Sequence, residues 1–90
     1  MADKILSLIK SGARIIDVRS VEEFEDEHYP NAVNIPVNEL QARIAEVGDK
    51  NAPVVLYCAS GSRSALAARI LTAAGYSKAI NAGGLYDMPE

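Results

Sequence analysis

Val54-Val55-Leu56-Tyr57-Cys58-Ala59-Ser60-Gly61-Ser62-Arg63-Ser64-Ala65 is the stretch whose reading decides the fold. Its first four residues form a continuous apolar run, which predicts a strand buried on both faces, as in a parallel sheet. Cys58–Ser62 reads as a short polar loop. From about Arg63 to Ala74 a helix is expected, with Leu66, Ile70 and Leu71 facing inward and Gly75 at the C′ position. Strand, tight loop and helix in that order make the unit of an α/β sheet, in which ligands bind beyond the carboxyl ends of the strands. Cys58 falls at that place.

Working outward, Arg14-Ile15-Ile16-Asp17-Val18 is a β-branched run of strand length, preceded by a short helical pattern over Asp3–Lys10 that Ser11-Gly12 ends. Val21–His28 carries five carboxylates around Phe24 and reads as a short, solvated helix broken by Tyr29-Pro30-Asn31. Ala32–Ile35 predicts a second short strand. Asn38 is a candidate cap for a helix from Glu39 to about Val47, with Leu40, Ile44 and Val47 on one face. Ala79–Ala82 predicts a last strand running into Gly83-Gly84. Strands alternating with helices imply an α/β sandwich with a mostly parallel sheet.

With 90 residues there is room for one domain, 1–90, built on one core. At 49% apolar and 23% charged, the composition is that of an ordinary globular chain. The net charge of −3 argues against a nucleic-acid partner, which selects a basic face. One cysteine excludes an internal disulfide and a metal cluster of cysteines. The carboxylates Glu22, Glu23, Glu25, Asp26 and Glu27 lack the alternating spacing of a calcium loop and spread around a helix, so no metal is expected there. Neither a signal-like N-terminus nor a membrane-length apolar run is present, and the expectation is a cytoplasmic protein with no membrane partner.

The loop is where the chemistry lies. Small residues between a strand and a helix let successive N–H groups converge into a nest for an anion, and the helix adds its own unsatisfied N–H groups and the positive end of its dipole. Gly61 gives the backbone freedom, Ser60, Ser62 and Ser64 offer hydroxyls, and Arg63 offers a planar cationic fork. A lone cysteine is commonly a small buried hydrophobe. One at the mouth of such a nest ionises readily and becomes a nucleophile. Cys58 is therefore the candidate catalytic residue, with Ala59, Ser60, Gly61, Ser62, Arg63 and Ser64 as the loop that binds the anion.

Asp17-Val18-Arg19, Glu23-Phe24, His28, Ala32 and Asn34-Ile35-Pro36 resemble the first half of a rhodanese homology domain. Tyr57-Cys58 through Ser64, Ala67-Ala68, Leu71, Gly75-Tyr76 and Gly83-Gly84 resemble the second. The resemblance implies a three-layer sandwich with the central sheet flanked by helices on both faces. It further implies sulfane-sulfur transfer through a Cys58 persulfide, with no cofactor. Thiosulfate is the usual laboratory donor in this family, and cyanide, a small thiol or a protein thiol such as thioredoxin is the acceptor. The chain departs from the family pattern where Glu27 and Asn31 replace glycines and where Tyr86 replaces a tryptophan.

Cysteine phosphatases and arsenate reductases also hold a thiolate in an anion nest, with one residue more between Cys and Arg. Here four residues separate Cys58 from Arg63, and Ser64 stands at the phosphatase spacing, which favours sulfur over phosphate. Asp17 and Arg19 end a strand near the site and read as a charged network holding neighbouring loops, with Glu23 as a partner. His28 joins them as structural support, because persulfide transfer needs no general base once the thiolate exists.

Overall fold

A computed structural model describes residues 2–90 of the chain. The sheet comprises β1 (Arg14–Asp17), β2 (Val33–Asn34), β3 (Val54–Cys58) and β4 (Ala79–Gly84), in spatial order β2-β1-β3-β4 with every pairing parallel. The chain moves outward from β1 to β2, then crosses back so that β3 lies on the other side of β1. The connections that leave the carboxyl ends of β1 and β3 therefore lead toward opposite edges of the sheet, the switch point at which open α/β sheets place their ligands.

Period-two alternation divides the sheet's side chains between two layers. Ile16, Val18, Val54, Leu56 and Cys58 point to the face covered by α3 (Ser62–Ala73), where they meet Ile35, Leu40, Val47, Ala67, Leu71 and Tyr76. Ile15, Val55 and Tyr57 point to the opposite face, against Ile5 and Leu8 of α1 (Ala2–Lys10) and against Met88. All five residues of β3 are buried, which is why its sequence is continuously apolar. The three-layer α/β architecture expected from the sequence is the one observed, with a sheet that is wholly parallel across its pairings.

The expected helix from Glu39 to Val47 does not form. Two short 3₁₀ turns, Val37–Glu39 and Ile44–Val47, stand in its place, and Asn38 lies inside the first of them without capping anything. Leu40 and Val47 are still fully buried in one core, so the apolar spacing serves the same burial in a different backbone geometry. This segment has to carry the chain from the edge strand β2 over β1 to β3. A 3₁₀ turn rises about 2.0 Å per residue against about 1.5 Å in an α-helix, and covers that distance with fewer residues. Arg43 bonds Glu39 at 3.0 Å and Glu46 at 2.8 Å, tying the two turns together.

Leu66 of α3, expected to face inward, is instead half exposed, and Ala67 takes the buried place beside Leu71. The other elements differ at their ends. α2 (Val21–Asp26) stops short of His28, β2 is only two residues long, and β4 runs two residues beyond Ala82. That extension contains an irregularity: Leu56 pairs with Asn81 and Cys58 with Gly84, so β4 carries one extra residue opposite the end of β3. The bulge draws Gly83-Gly84 against the loop that follows Cys58.

Candidate active site

Cys58 ends β3 and α3 starts four residues later. Gly61 occupies the N-cap position with φ of 103°, a left-handed conformation that a β-carbon would strain. The turn directs the Gly61 N–H at the cysteine, with N···Sγ 2.9 Å, and the Ser64 hydroxyl approaches the same sulfur at 3.4 Å. Gly84 closes the loop from the other side: a methyl group there would overlap the Ala59 carbonyl oxygen. Ala59, Ser60 and Ser62 are exposed at the rim, while Cys58 and Ser64 have no exposed surface.

The thiol's acidity follows from this geometry. Burial alone would push the Cys58 pKa up. The Ser64 hydroxyl and the backbone N–H groups of Ser64, Gly61 and Ser60 act against it, and the balance lowers the pKa from 9.0 to about 7. A thiol so poised is substantially thiolate near neutrality.

Arg63 does not aim its fork at the sulfur. Its Nη1 and Nη2 donate to the two Glu23 carboxylate oxygens at 2.7 and 3.0 Å, so the guanidinium links α3 to α2. The charge on Cys58 still helps to raise the Arg63 pKa, after the larger effect of Glu23. The expected link of Glu23 to Asp17 and Arg19 therefore runs elsewhere. Arg19 lies buried against Asp17, with Nη2···Oδ2 2.7 Å, and its Nη2 also donates to the Glu27 carbonyl at 2.6 Å. Its guanidinium lies over the Tyr57 ring, 5.6 Å from the centroid. Asp17 and Arg19 thus hold the segment after α2 against the end of β1. His28 is exposed, stacks on Phe24 with ring centroids 3.8 Å apart, and shares a 2.8 Å hydrogen bond with the Phe24 carbonyl.

Asn81, which no motif marks, also borders Cys58 through Ser64. Its Oδ1 accepts from the Ser64 hydroxyl at 2.6 Å and from the Gly83 N–H at 2.9 Å, and its Nδ2 donates to the Gly61 carbonyl at 3.2 Å. One side chain thereby joins the bulge, the loop and α3. A signal was present: by alternation from Ala79, a core residue, Asn81 falls on the α3 face, where a polar side chain needs a partner.

A buried, acidified thiol at the switch point of a parallel sheet, with N–H groups converging on it from a tight loop, is an arrangement suited to nucleophilic group transfer. Comparison with known proteins gives the family. The rhodanese-like domain matches residues 1–88, and the chain belongs to that family. It is 47% identical over 74 residues to the thiosulfate sulfurtransferase PspE of Escherichia coli K12, covering 81% of this chain and 71% of PspE. It also spans 36% of the longer sulfur carrier protein YrkF, named as putative, of Bacillus subtilis, at 42% identity. Among solved structures, a rhodanese with anions from E. coli superposes with a TM-score of 0.81 at 46% identity, covering 87% of this chain and 95% of that one. The human single-domain sulfurtransferase TSTD1 gives 0.81 at 33%, covering 93% and 87%. The protein is a thiosulfate sulfurtransferase-like enzyme that acts on sulfur donors and acceptors.

Proposed function

We propose that sulfur moves through a persulfide on Cys58. The Cys58 thiolate attacks the outer sulfur of thiosulfate, a new S–S bond forms, the S–S bond of thiosulfate breaks, and its electron pair leaves with sulfite. The anionic persulfide then receives the loop donors of residues 59–64. A thiophilic acceptor attacks its terminal sulfur and returns Cys58 as thiolate. The same N–H groups serve the incoming anion and the persulfide, so catalysis rests on preorganised dipoles rather than on proton transfer. Asp17 and Arg19 hold the segment after α2 against the end of β1, His28 stacks on Phe24, and none of the three touches the sulfur among the described contacts.

The observation carrying this reading is the Gly61 N–H at 2.9 Å from Sγ, on the chain's one cysteine. Because a second thiol is lacking in this chain, the sulfur leaves to an external acceptor: cyanide, a small thiol, or a protein thiol such as that of thioredoxin. Intact-protein mass measurement after thiosulfate treatment tests the reading. One added sulfur atom is expected, removable by cyanide and absent from Cys58→Ser. A wild-type protein left unmodified by both thiosulfate and persulfide donors overturns it.

A further inference from the structure

The Ser64 hydroxyl has one proton and more than one acceptor. Asn81 Oδ1 is nearest at 2.6 Å; the Gly61 carbonyl lies at 3.2 Å, and Cys58 Sγ and the Gly83 carbonyl lie at 3.4 Å. The orientation of the Asn81 amide is set by its other bonds, because its Oδ1 faces the Gly83 N–H and its Nδ2 faces the Gly61 carbonyl. Turning the amide over would oppose two donors at Gly83 and two acceptors at Gly61. Asn81 therefore always presents an oxygen to Ser64.

We propose that Asn81 is a positioning residue for sulfur transfer: its Oδ1 holds the Ser64 hydroxyl proton while Cys58 is a neutral thiol, and yields that proton to the sulfur when the sulfur becomes anionic. The switch is a rotation of one hydroxyl about its C–O bond, with no covalent bond made or broken. A charge-assisted hydrogen bond to the anion is roughly twice as strong as a neutral one, which allows the sulfur to win the proton despite the longer distance. Asn81 thus opposes Cys58 ionisation slightly and preserves the nucleophilicity that falls as a thiol's pKa falls. It also keeps Ser64 in reach of either sulfur state, thiolate or persulfide.

The charged groups on the elements around Cys58 have partners of their own. Arg63 of α3 is paired with Glu23 of α2, Asp17 with Arg19 at the end of β1, and the Asp87 carboxylate accepts the Gly84 N–H at 2.8 Å. Among the described contacts, Ser64 is the side chain whose hydroxyl proton reaches both Sγ and a fixed competing acceptor.

The proposal rests on Cys58 being the reactive thiol. Its test, the pH midpoint of Cys58 alkylation by iodoacetamide, requires no sulfur donor and reads out even if thiosulfate turnover fails. Asn81→Leu keeps the size and removes the acceptor, so the freed proton favours the thiolate and the midpoint falls by about 0.5 unit. In a Ser64→Ala background the same substitution shifts nothing. Asn81→Asp keeps an acceptor, holds the proton harder and raises the midpoint, and that rise is smaller with Ser64→Ala, where only direct charge repulsion remains. Turnover of thiosulfate falls in both Asn81 variants. A purely structural Asn81 predicts the opposite sign for Asn81→Leu, because a loosened loop loses donors and the midpoint rises. An unchanged or raised midpoint in Asn81→Leu, or an Asn81→Asp shift indifferent to Ser64, overturns the assignment.

Discussion

Two helices approach the site from different sides, and different forces hold them. α3 buries Ser64, Ala67 and Leu71 and packs into the larger core. None of the described residues of α2 is buried. It is held instead by polar contacts: the Ser20–Glu23 capping box at its start, Arg63 on Glu23, and, just past its end, Arg19 on the Glu27 carbonyl and Tyr86 on the Glu27 carboxylate. The helix that carries the nest is fixed by apolar burial, which neither charge screening nor mild acid weakens. The helix beside it is fixed by ion pairs and hydrogen bonds, which screening and acid do weaken. The apolar anchoring is thus concentrated in the helix that follows Cys58, and the polar anchoring in α2.

The sharpest way to break this comparison is through Leu71. It has no exposed surface and lies among Ile16, Leu56 and Tyr76 in the core under α3. Leu71→Ala should lower unfolding free energy by about 2–5 kcal/mol, a large part of the stability of a small domain. Urea denaturation followed by circular dichroism measures it. A loss below about 1 kcal/mol would mean that α3 is not anchored by its core face.

What was legible in the sequence follows the same division. β3, α3 and the Cys58 loop could be read because burial on both faces forces a continuous apolar run and a tight turn forces small residues, and both are local constraints. The 3₁₀ connection could not be read, since Leu40, Ile44 and Val47 have helical spacing and nothing local in the sequence separates two 3₁₀ turns from one helix. The partner of Arg63 was hidden for a related reason. Glu23 lies forty residues away in sequence, and its neighbours Glu22 and Glu25 are chemically equivalent until the fold selects one. Asn31 shows the reverse case. It takes φ of 68° where the family pattern has glycine, and asparagine is among the few other residues that enter that region readily.

A second, smaller effect concerns Glu23. The Arg63 guanidinium is the chief reason its pKa falls from the ordinary 4.5 to about 2, against a smaller opposing effect of burial. A depressed folded pKa contributes stability that is fully present above pH 4.5 and is lost as pH falls through about 2. The pair is about one-third exposed on each side, so solvent screens it and its contribution is about 0.5 kcal/mol. Glu23→Gln should therefore lower stability at pH 7 by that amount and remove part of the loss the wild type shows between pH 4 and pH 2. Raising salt should shrink the difference between the two proteins. Denaturant midpoints at pH 7 and pH 3, in low and high salt, check it. A loss as large as that of Leu71→Ala would erase the distinction between the two helices.

The smallest effect belongs to Tyr86, and it sharpens the comparison most finely. Tyr86 and Glu27 are two of the positions at which the chain departs from the family pattern, and they contact each other: the Tyr86 hydroxyl donates to the Glu27 carboxylate. Together with His28 and Leu85 they line a cavity of about 500 Å³. Tyr86 is 84% exposed, so water can replace its partner at once, and Glu27 beside it holds the phenol's pKa above its ordinary value. Tyr86→Phe keeps the ring and removes only the hydroxyl. The unfolding midpoint should stay within the error of a denaturant titration, because Arg19 still grips the Glu27 carbonyl from the buried side. The tie joins two exposed side chains and leaves the sulfur loop alone, so kcat for thiosulfate should be unchanged. A change confined to KM or to the rate with a bulky thiol acceptor would assign the pair to the entrance of the site. A fall in kcat together with a lowered unfolding midpoint would instead show that this contact, rather than Arg19 and Arg63, keeps α2 in place.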